Sequence, residues 1–276
     1  MQDRDRILNH LATTPAGTPY DAWGDVRILI AIPVYNERRY IPGVIARVLQ
    51  YARDVLVIDD GSTDETPLLL AQHPVHVLRH PRNMGYGRSL RDAFTFAEAH
   101  GYDWVITMDC DEQHEPGAIP HFVRALAEGN ADLISGSRYL ASMDEASAPP
   151  ADRRSINLAL TGEINDRLNL SLTDAFCGFK AHRVSAMARL RFTENGYAFP
   201  MQLWVQAVAA GLRISEIPVK LIYKDLTRSF GATLNNPVTR LAHYRSVLHC
   251  ELERQAHRLP VAALTGVSAG CGCQEV

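Results

Sequence analysis

The sequence predicts an α/β domain: a mostly parallel central sheet with helices on both faces. Three observations lead there. Short apolar runs recur along the first half of the chain, each is followed by a stretch of helical periodicity, and the runs stay apolar throughout instead of alternating with polar residues. A strand apolar on both sides has to be covered on both sides, and intervening helices supply that cover while keeping successive strands parallel.

The elements follow in order. Residues 1–25 carry Pro15, Gly17, Pro19 and Gly24 and read as an arm ahead of the domain. VRILIAIPV (26–34) is the first strand, and a helical pattern runs from about 39 to 51. VLVID (55–59) is the second, with TDETPLLLAQ as a short helix; Ser62 and Glu65 have capping-box spacing. VHVLRH (75–80) precedes a helix over 87–100, and WVITMD (104–109) precedes one from Pro116 to about Glu128, with Pro at a first helical position. ADLISGS (131–137) is the fifth strand. After Tyr139 the pattern changes. Residues 141–152 read as a loop, 153–169 as an amphipathic helix, 176–183 as a short strand, 197–211 as a helix, and 213–224 as one or two strands. These complete one domain over 26–236. Residues 237–276 form a last helix, to about Arg258, and a tail.

Composition excludes several functions. The net charge of −3 lacks the basic excess of a dedicated nucleic-acid binder. Five scattered cysteines give no disulfide framework or zinc spacing, which points to a reducing, cytoplasmic setting; the Cys271–Cys273 pair reads as part of the tail. No secretory signal is visible, and no run reaches the roughly 18 apolar residues of a membrane span.

The chemistry sits at strand ends, where open α/β sheets bind ligands. PVYNE follows the first strand, DDGSTDE the second and DCDEQ the fourth. Helix grammar explains parts of each but not the pairing of Asp59 with Asp60, nor Asp109, Asp111 and Gln113 together. If the strands are neighbours, all three clusters meet on one edge. The oxygen ligands of Asp-x-Asp-x-Gln suit Mg²⁺ or Mn²⁺, ions that bridge to substrate phosphates. A nucleoside diphosphate fits such a site, with Asp60 accepting from a base N–H and Tyr35 packing near the base. GYGRSL (85–90) lacks the third glycine of a dinucleotide fingerprint and reads as a helix start, with Asn83 near the site. His114 reads as a loop residue; Trp104 and Trp204 read as core.

IAIPVYNE, VLVIDDGSTDET, NMGYGRSLRDAF, ITMDCDEQHEP and SGSRYL, in this order and spacing, resemble the family 2 glycosyltransferases of GT-A fold, over roughly residues 27–223. DRRSINLALTGEINDRLNLSLTDAFCGFKAHR and EIPVKLIYK resemble the polyprenyl-phosphate branch, dolichyl-phosphate-mannose-synthase-like enzymes without membrane helices. The resemblance implies residue roles. Pro33, Tyr35, Glu37, Ile58 and Asp60 would form the nucleotide pocket. Asp109, Cys110 and Asp111 match the D-x-D motif, with Gln113 a further metal ligand. Arg138 would touch phosphate, and Arg153 or Arg154 would meet the acceptor's phosphate. Asp174 is a base or a structural residue.

The implied reaction is an inverting, metal-dependent transfer of a hexose from a GDP- or UDP-linked donor to a dolichyl or undecaprenyl phosphate, with peripheral membrane contact. A hydroxyl-using relative carries Glu-Asp where this chain has Glu194–Asn195; a phosphate acceptor is already ionised and needs no base. The branch's R-x-x-G-x-S-K loop is replaced by YKDLTRSFGATLNNP, where Lys224 and Arg228 stand as substitute cations. The same donor chemistry on a soluble hydroxyl, and a non-catalytic nucleotide-sugar binder, remain alternatives.

Overall fold

The computed structural model describes residues 25–140, 150–220, 222 and 233–267. The arm up to Gly24, most of the 141–152 loop, Lys224, Arg228 and the Cys271–Cys273 tail lie outside them.

Among the described residues seven strands form one sheet: β1 (Ile28–Val34), β2 (Val55–Asp59), β3 (His76–Arg79), β4 (Trp104–Thr107), β5 (Leu133–Ser137), β6 (Lys180–Arg183) and β7 (Ile214–Pro218). Their order is β3-β2-β1-β4-β6-β5-β7. The β1–β2, β2–β3, β1–β4 and β5–β7 pairings are parallel. Only β6 runs the other way, antiparallel to both β4 and β5. Among the described residues the helices α1 (Ile41–Val48), α2 (Thr66–Leu70), α3 (Tyr86–Ala99), α4 (Ile119–Ala127), α5 (Ala151–Leu168), α6 (Val184–Met187) and α7 (Phe199–Ala209) lie between strands, and α8 (Pro237–Arg254) follows the last one.

β1 shows how the sheet is covered. Side chains alternate between faces along a strand. Ile28, Ile30 and Ile32 pack on one face with Ile41 and Ile45 of α1 and Phe122 of α4. Leu29 and Ala31 pack on the other with α3, α5, α7 and α8. The continuous apolar run is therefore two cores read in alternation. β3 departs from this pattern: His76, Val77 and Arg79 are exposed. It is the edge strand, and the single-turn-plus helix α2 is too short to cover it.

One helix start differs from its sequence reading and another follows it. Glu65 makes no side-chain cap on α2. Ser62 Oγ instead accepts from the Asn36 N–H at 2.9 Å, while Glu65 pairs with Arg38. The capping-box residues thus clasp the first two loops to each other. At α8 the grammar holds: Asn236 Oδ1 accepts from Val238 and Thr239 N–H, with Pro237 at the first position.

Candidate active site

β2, β1 and β4 are consecutive in the sheet, so their C-terminal loops meet on one edge. The strand order turns back between β1 and β4, a topological switch point. Because β5 runs with β4, Arg138 emerges at the same edge; because β6 runs against it, the residues just before β6 arrive there too. Together they enclose a cavity of about 830 Å³.

Past β4 the chain turns sharply. Glu112 takes a left-handed φ of +60° and the Gln113 N–H donates to Asp111 Oδ1 at 3.1 Å. Asp109, Asp111 and Gln113 line the cavity, while Glu112 turns to Arg47 of α1 at 2.9 Å. Cys110 also borders the cavity, but its side chain belongs to the apolar cluster under β1, and burial pushes its thiol up. Burial, then repulsion from Asp109, pushes the Asp111 carboxyl up to about 7. A hard cation between the two would relieve both effects.

His114 is a loop residue, as read, yet it is buried and builds the turn. Its Nδ1 accepts from the Asp109 N–H at 3.0 Å and its ring packs on Phe179. Burial holds the imidazole down at about 4, which keeps that nitrogen free of a proton. Gly178, just before β6, faces the same turn. A Cβ there would lie 2.6 Å from Asp109 Oδ2 and 2.9 Å from the Tyr86 hydroxyl, so any larger residue would displace these side chains.

At the other end, Pro33, Tyr35, Glu37, Asp60 and Asn83 line the cavity. Asp60 is already well supplied with donors: Met84 N–H at 2.7 Å and Gly85 N–H at 2.8 Å, with His80 Nδ1 at 2.7 Å. Ile58 does not reach the cavity. It points from β2 into the core under α3 and is fully buried, the strand's alternation turning it away from the loop edge.

Arg138 and Asp174 form a buried pair. The guanidinium donates through Nε at 2.6 Å and Nη2 at 2.9 Å, and Asn157 adds a third side-chain donor at 2.8 Å. The Arg138 and Phe176 N–H groups also point at this carboxylate. Burial alone would push Asp174 up; Arg138 and these donors outweigh it and hold the carboxyl at about 2. Arg138 lines the cavity and Asp174 lies behind it. Of the two neighbouring arginines, Arg153 lines the cavity, whereas the Arg154 guanidinium sits 3.5 Å above the Tyr139 ring.

Tyr86, Lys180, Tyr197, Arg240 and Tyr244 also line the walls. Tyr86 and Tyr197 stack at 5.8 Å, and Arg240, buried on α8, pairs with Asp152 of α5 at 2.6 Å. Lys180 lay within a quoted motif without drawing a role. Arg240 and Tyr244 gave no local signal, because only the packing of α8 against α5 brings them to the site.

This sheet with its acidic turn past β4 defines the GT-A architecture of glycosyltransferases. The sequence pattern of the glycosyl transferase family 2 matches residues 29–191, and the chain belongs to that family. It is similar to the undecaprenyl-phosphate mannosyltransferase of Micrococcus luteus, 31% identical over 216 residues covering 74% of this chain and 87% of the relative. The polyprenol monophosphomannose synthase of Mycolicibacterium smegmatis is 28% identical, covering 79% and 86%. Among solved structures, glucosyl-3-phosphoglycerate synthase from Mycobacterium tuberculosis, in complex with Mn²⁺, UDP-glucose and phosphoglyceric acid, superposes with a TM-score of 0.64 at 20% identity, covering 90% and 86%.

Proposed function

We propose that this glycosyltransferase moves a hexose from a nucleoside-diphosphate sugar, GDP- or UDP-linked, to a polyprenyl phosphate by one inverting displacement. The observation that carries the reading is the charge layout of a single cavity: Asp109 and Asp111 on one wall, with Arg138, Arg153 and Arg240 lining the same space.

Asp109, Asp111 and Gln113 would hold Mg²⁺ or Mn²⁺. Among the described residues no group of three or more His, Cys, Asp or Glu is set to cage a metal, so these ligands suit an ion that keeps positions for diphosphate oxygens. When bound, such an ion supplies Lewis-acid stabilisation of the charge left on the diphosphate. Pro33, Tyr35, Glu37, Asp60 and Asn83 take the nucleotide. Arg138, locked by Asp174, presents a fixed cation to the leaving group, a charge that needs no reorganisation during the reaction. Arg153, with Arg240 beside it, meets the acceptor's phosphate.

An ionised phosphate attacks without a general base. That agrees with Asp174, whose saturated carboxylate suits the structural role better than a base. It agrees also with Glu194, whose Oε1 accepts from the Gly196 N–H at 2.7 Å. The names of the two bacterial relatives support a lipid-phosphate acceptor. Among the described residues no helix is long and apolar enough to cross a membrane, so contact with such a lipid would be peripheral.

The test is incubation with GDP-mannose or UDP-glucose, Mn²⁺ and a short-chain polyprenyl phosphate. A lipid-linked sugar is expected, absent with chelator and reduced about 100-fold or more in Asp111→Asn. The solved neighbour's complex with phosphoglyceric acid motivates one competing acceptor, a small phosphorylated acid. Product from that acceptor alone would overturn the lipid reading.

A further inference from the structure

Behind the cavity lies a chain of side chains that ends on Asp60 and whose other members have been given no part in the reaction. His80 ends the run that starts with β3 and is buried at 5% exposure. Its Nδ1 lies 2.7 Å from Asp60 Oδ1 and its Nε2 lies 2.9 Å from Asp92 Oδ2. Asp92, on α3, also accepts from Arg88 Nε at 2.7 Å. Hydrogen-bonded contacts therefore run along the line Arg88, Asp92, His80, Asp60, from the solvent side to the cavity wall. The ring thus lies within hydrogen-bond reach of a carboxylate on each side and ties a cavity residue to a helix.

What the bridge fixes is the direction of one carboxylate. Asp60 Oδ1 receives His80 and the Met84 N–H, and Oδ2 receives the Gly85 N–H. A carboxylate offers about four acceptor positions. The three bonds leave one on Oδ2, the position with which Asp60, as a cavity-lining group, would meet a ring N–H of the donor's base. His80 and Asp92 do not line the cavity themselves.

We propose that His80 is a positioning residue for base selection: held by Asp92, it aims Asp60 at a ring N–H of the nucleotide donor. This rests on the placement of the nucleotide proposed above. Uracil and guanine present a ring N–H to such an acceptor; cytosine presents a ring nitrogen that accepts, and it meets the carboxylate lone pair to lone pair. The bridge therefore selects uridine or guanosine diphosphates against cytidine diphosphate. Losing it lets Asp60 swing and lowers the selectivity before it touches the chemistry.

The test measures binding of UDP, GDP and CDP, each with Mn²⁺, by isothermal titration, together with donor KM and kcat. In His80→Phe the affinity for the preferred of UDP and GDP is expected to fall about tenfold, the size of one charge-assisted hydrogen bond. CDP affinity should hardly move, so the preference collapses; donor KM should rise more than kcat falls. Asp92→Asn removes the anchor from the far end and should shift the preference the same way by a smaller factor. It decides the matter if His80→Phe does not fold. A preference unchanged in the folded variants, with only the melting temperature lowered, would overturn the proposal and leave His80 a structural residue. Asp60→Asn separates the two readings: if it leaves the preference intact, the nucleotide does not sit against Asp60 and the placement itself fails.

Discussion

Asp174 shows how a single residue trades a chemical role for a mechanical one. It is inaccessible to solvent, and five hydrogen bonds from Arg138, Asn157 and Phe176 hold it ionised. Its carboxyl at about 2 lies below the ordinary value of 3.8. The folded state therefore favours the charged form. Its contribution is fully present above about pH 4 and is lost as pH falls through about 2. Urea titrations of Asp174→Asn against the parent are expected to show a flatter acid limb in that window. At neutral pH the variant should lose about 3–5 kcal/mol, because Arg138 is left buried without its anion. Equal pH dependence in the two proteins would rule the linkage out. The sequence placed Asp174 near the site but left its role open, since a carboxylate's donors come from other elements. Asp109 and Asp111 were legible because their spacing and their position at a strand end are local facts. Ile58 was misplaced for the opposite reason: its motif neighbours reach the loop, while the strand's alternation turns it inward.

At the scale of elements, two glycines mark where backbone must pass close to another segment. Gly85 opens α3 with a φ of +104°, and a Cβ there would stand 2.2 Å from the Asn195 carbonyl oxygen. The 193–196 loop is seated on this helix start and is held from behind by Gln202, whose Oε1 accepts from the Thr193 and Glu194 N–H groups. Gln202 and Gln206 in turn donate to the buried Glu251 of α8. That chain of amide and carboxylate groups delivers Tyr197 to its stack on Tyr86. Gly178 does the equivalent service for the acidic turn. Gly178→Ala is expected to push the Asp109 carboxylate out of line and weaken Mn²⁺ binding about tenfold, the usual scale for a disturbed support of a metal ligand. Electron paramagnetic resonance titration of Mn²⁺ reads this directly, and unchanged affinity would show that Asp109 is not a ligand. Sequence periodicity gave the helices and strands nearly in full. It could not give these clamps, because the contact lies between segments about a hundred residues apart, as Arg91 and Asn195 are, separated by 104 positions.

For the whole molecule, the two cores share one sheet, and neither face is complete alone. Trp104 lies in the cluster with α1 and α4, and Trp204 in the cluster with α3, α5 and α8. Variants that keep one of these tryptophans, with the other and Trp23 replaced by phenylalanine, report the two faces separately. Their fluorescence transitions in urea are expected to share a midpoint and slope, as a single cooperative unit requires. Two separated midpoints would show that the faces unfold independently. The parallel half of this architecture was legible from strand–helix alternation. The reversed strand β6 was not, because no local pattern records which neighbours a strand will choose.

That reversal has a consequence for how the enzyme is made. Thr107 Oγ1 donates to the Gly178 carbonyl at 2.8 Å, a closure spanning 71 residues. Such long-range pairings form late, after the entropy of a long loop has been overcome. A nascent chain that has released DCDEQ from the ribosome thus carries the carboxylates with no wall opposite them. The opposing wall arrives only once β6 has slotted between β4 and β5, so grip on a divalent ion would act as a certificate of completed folding.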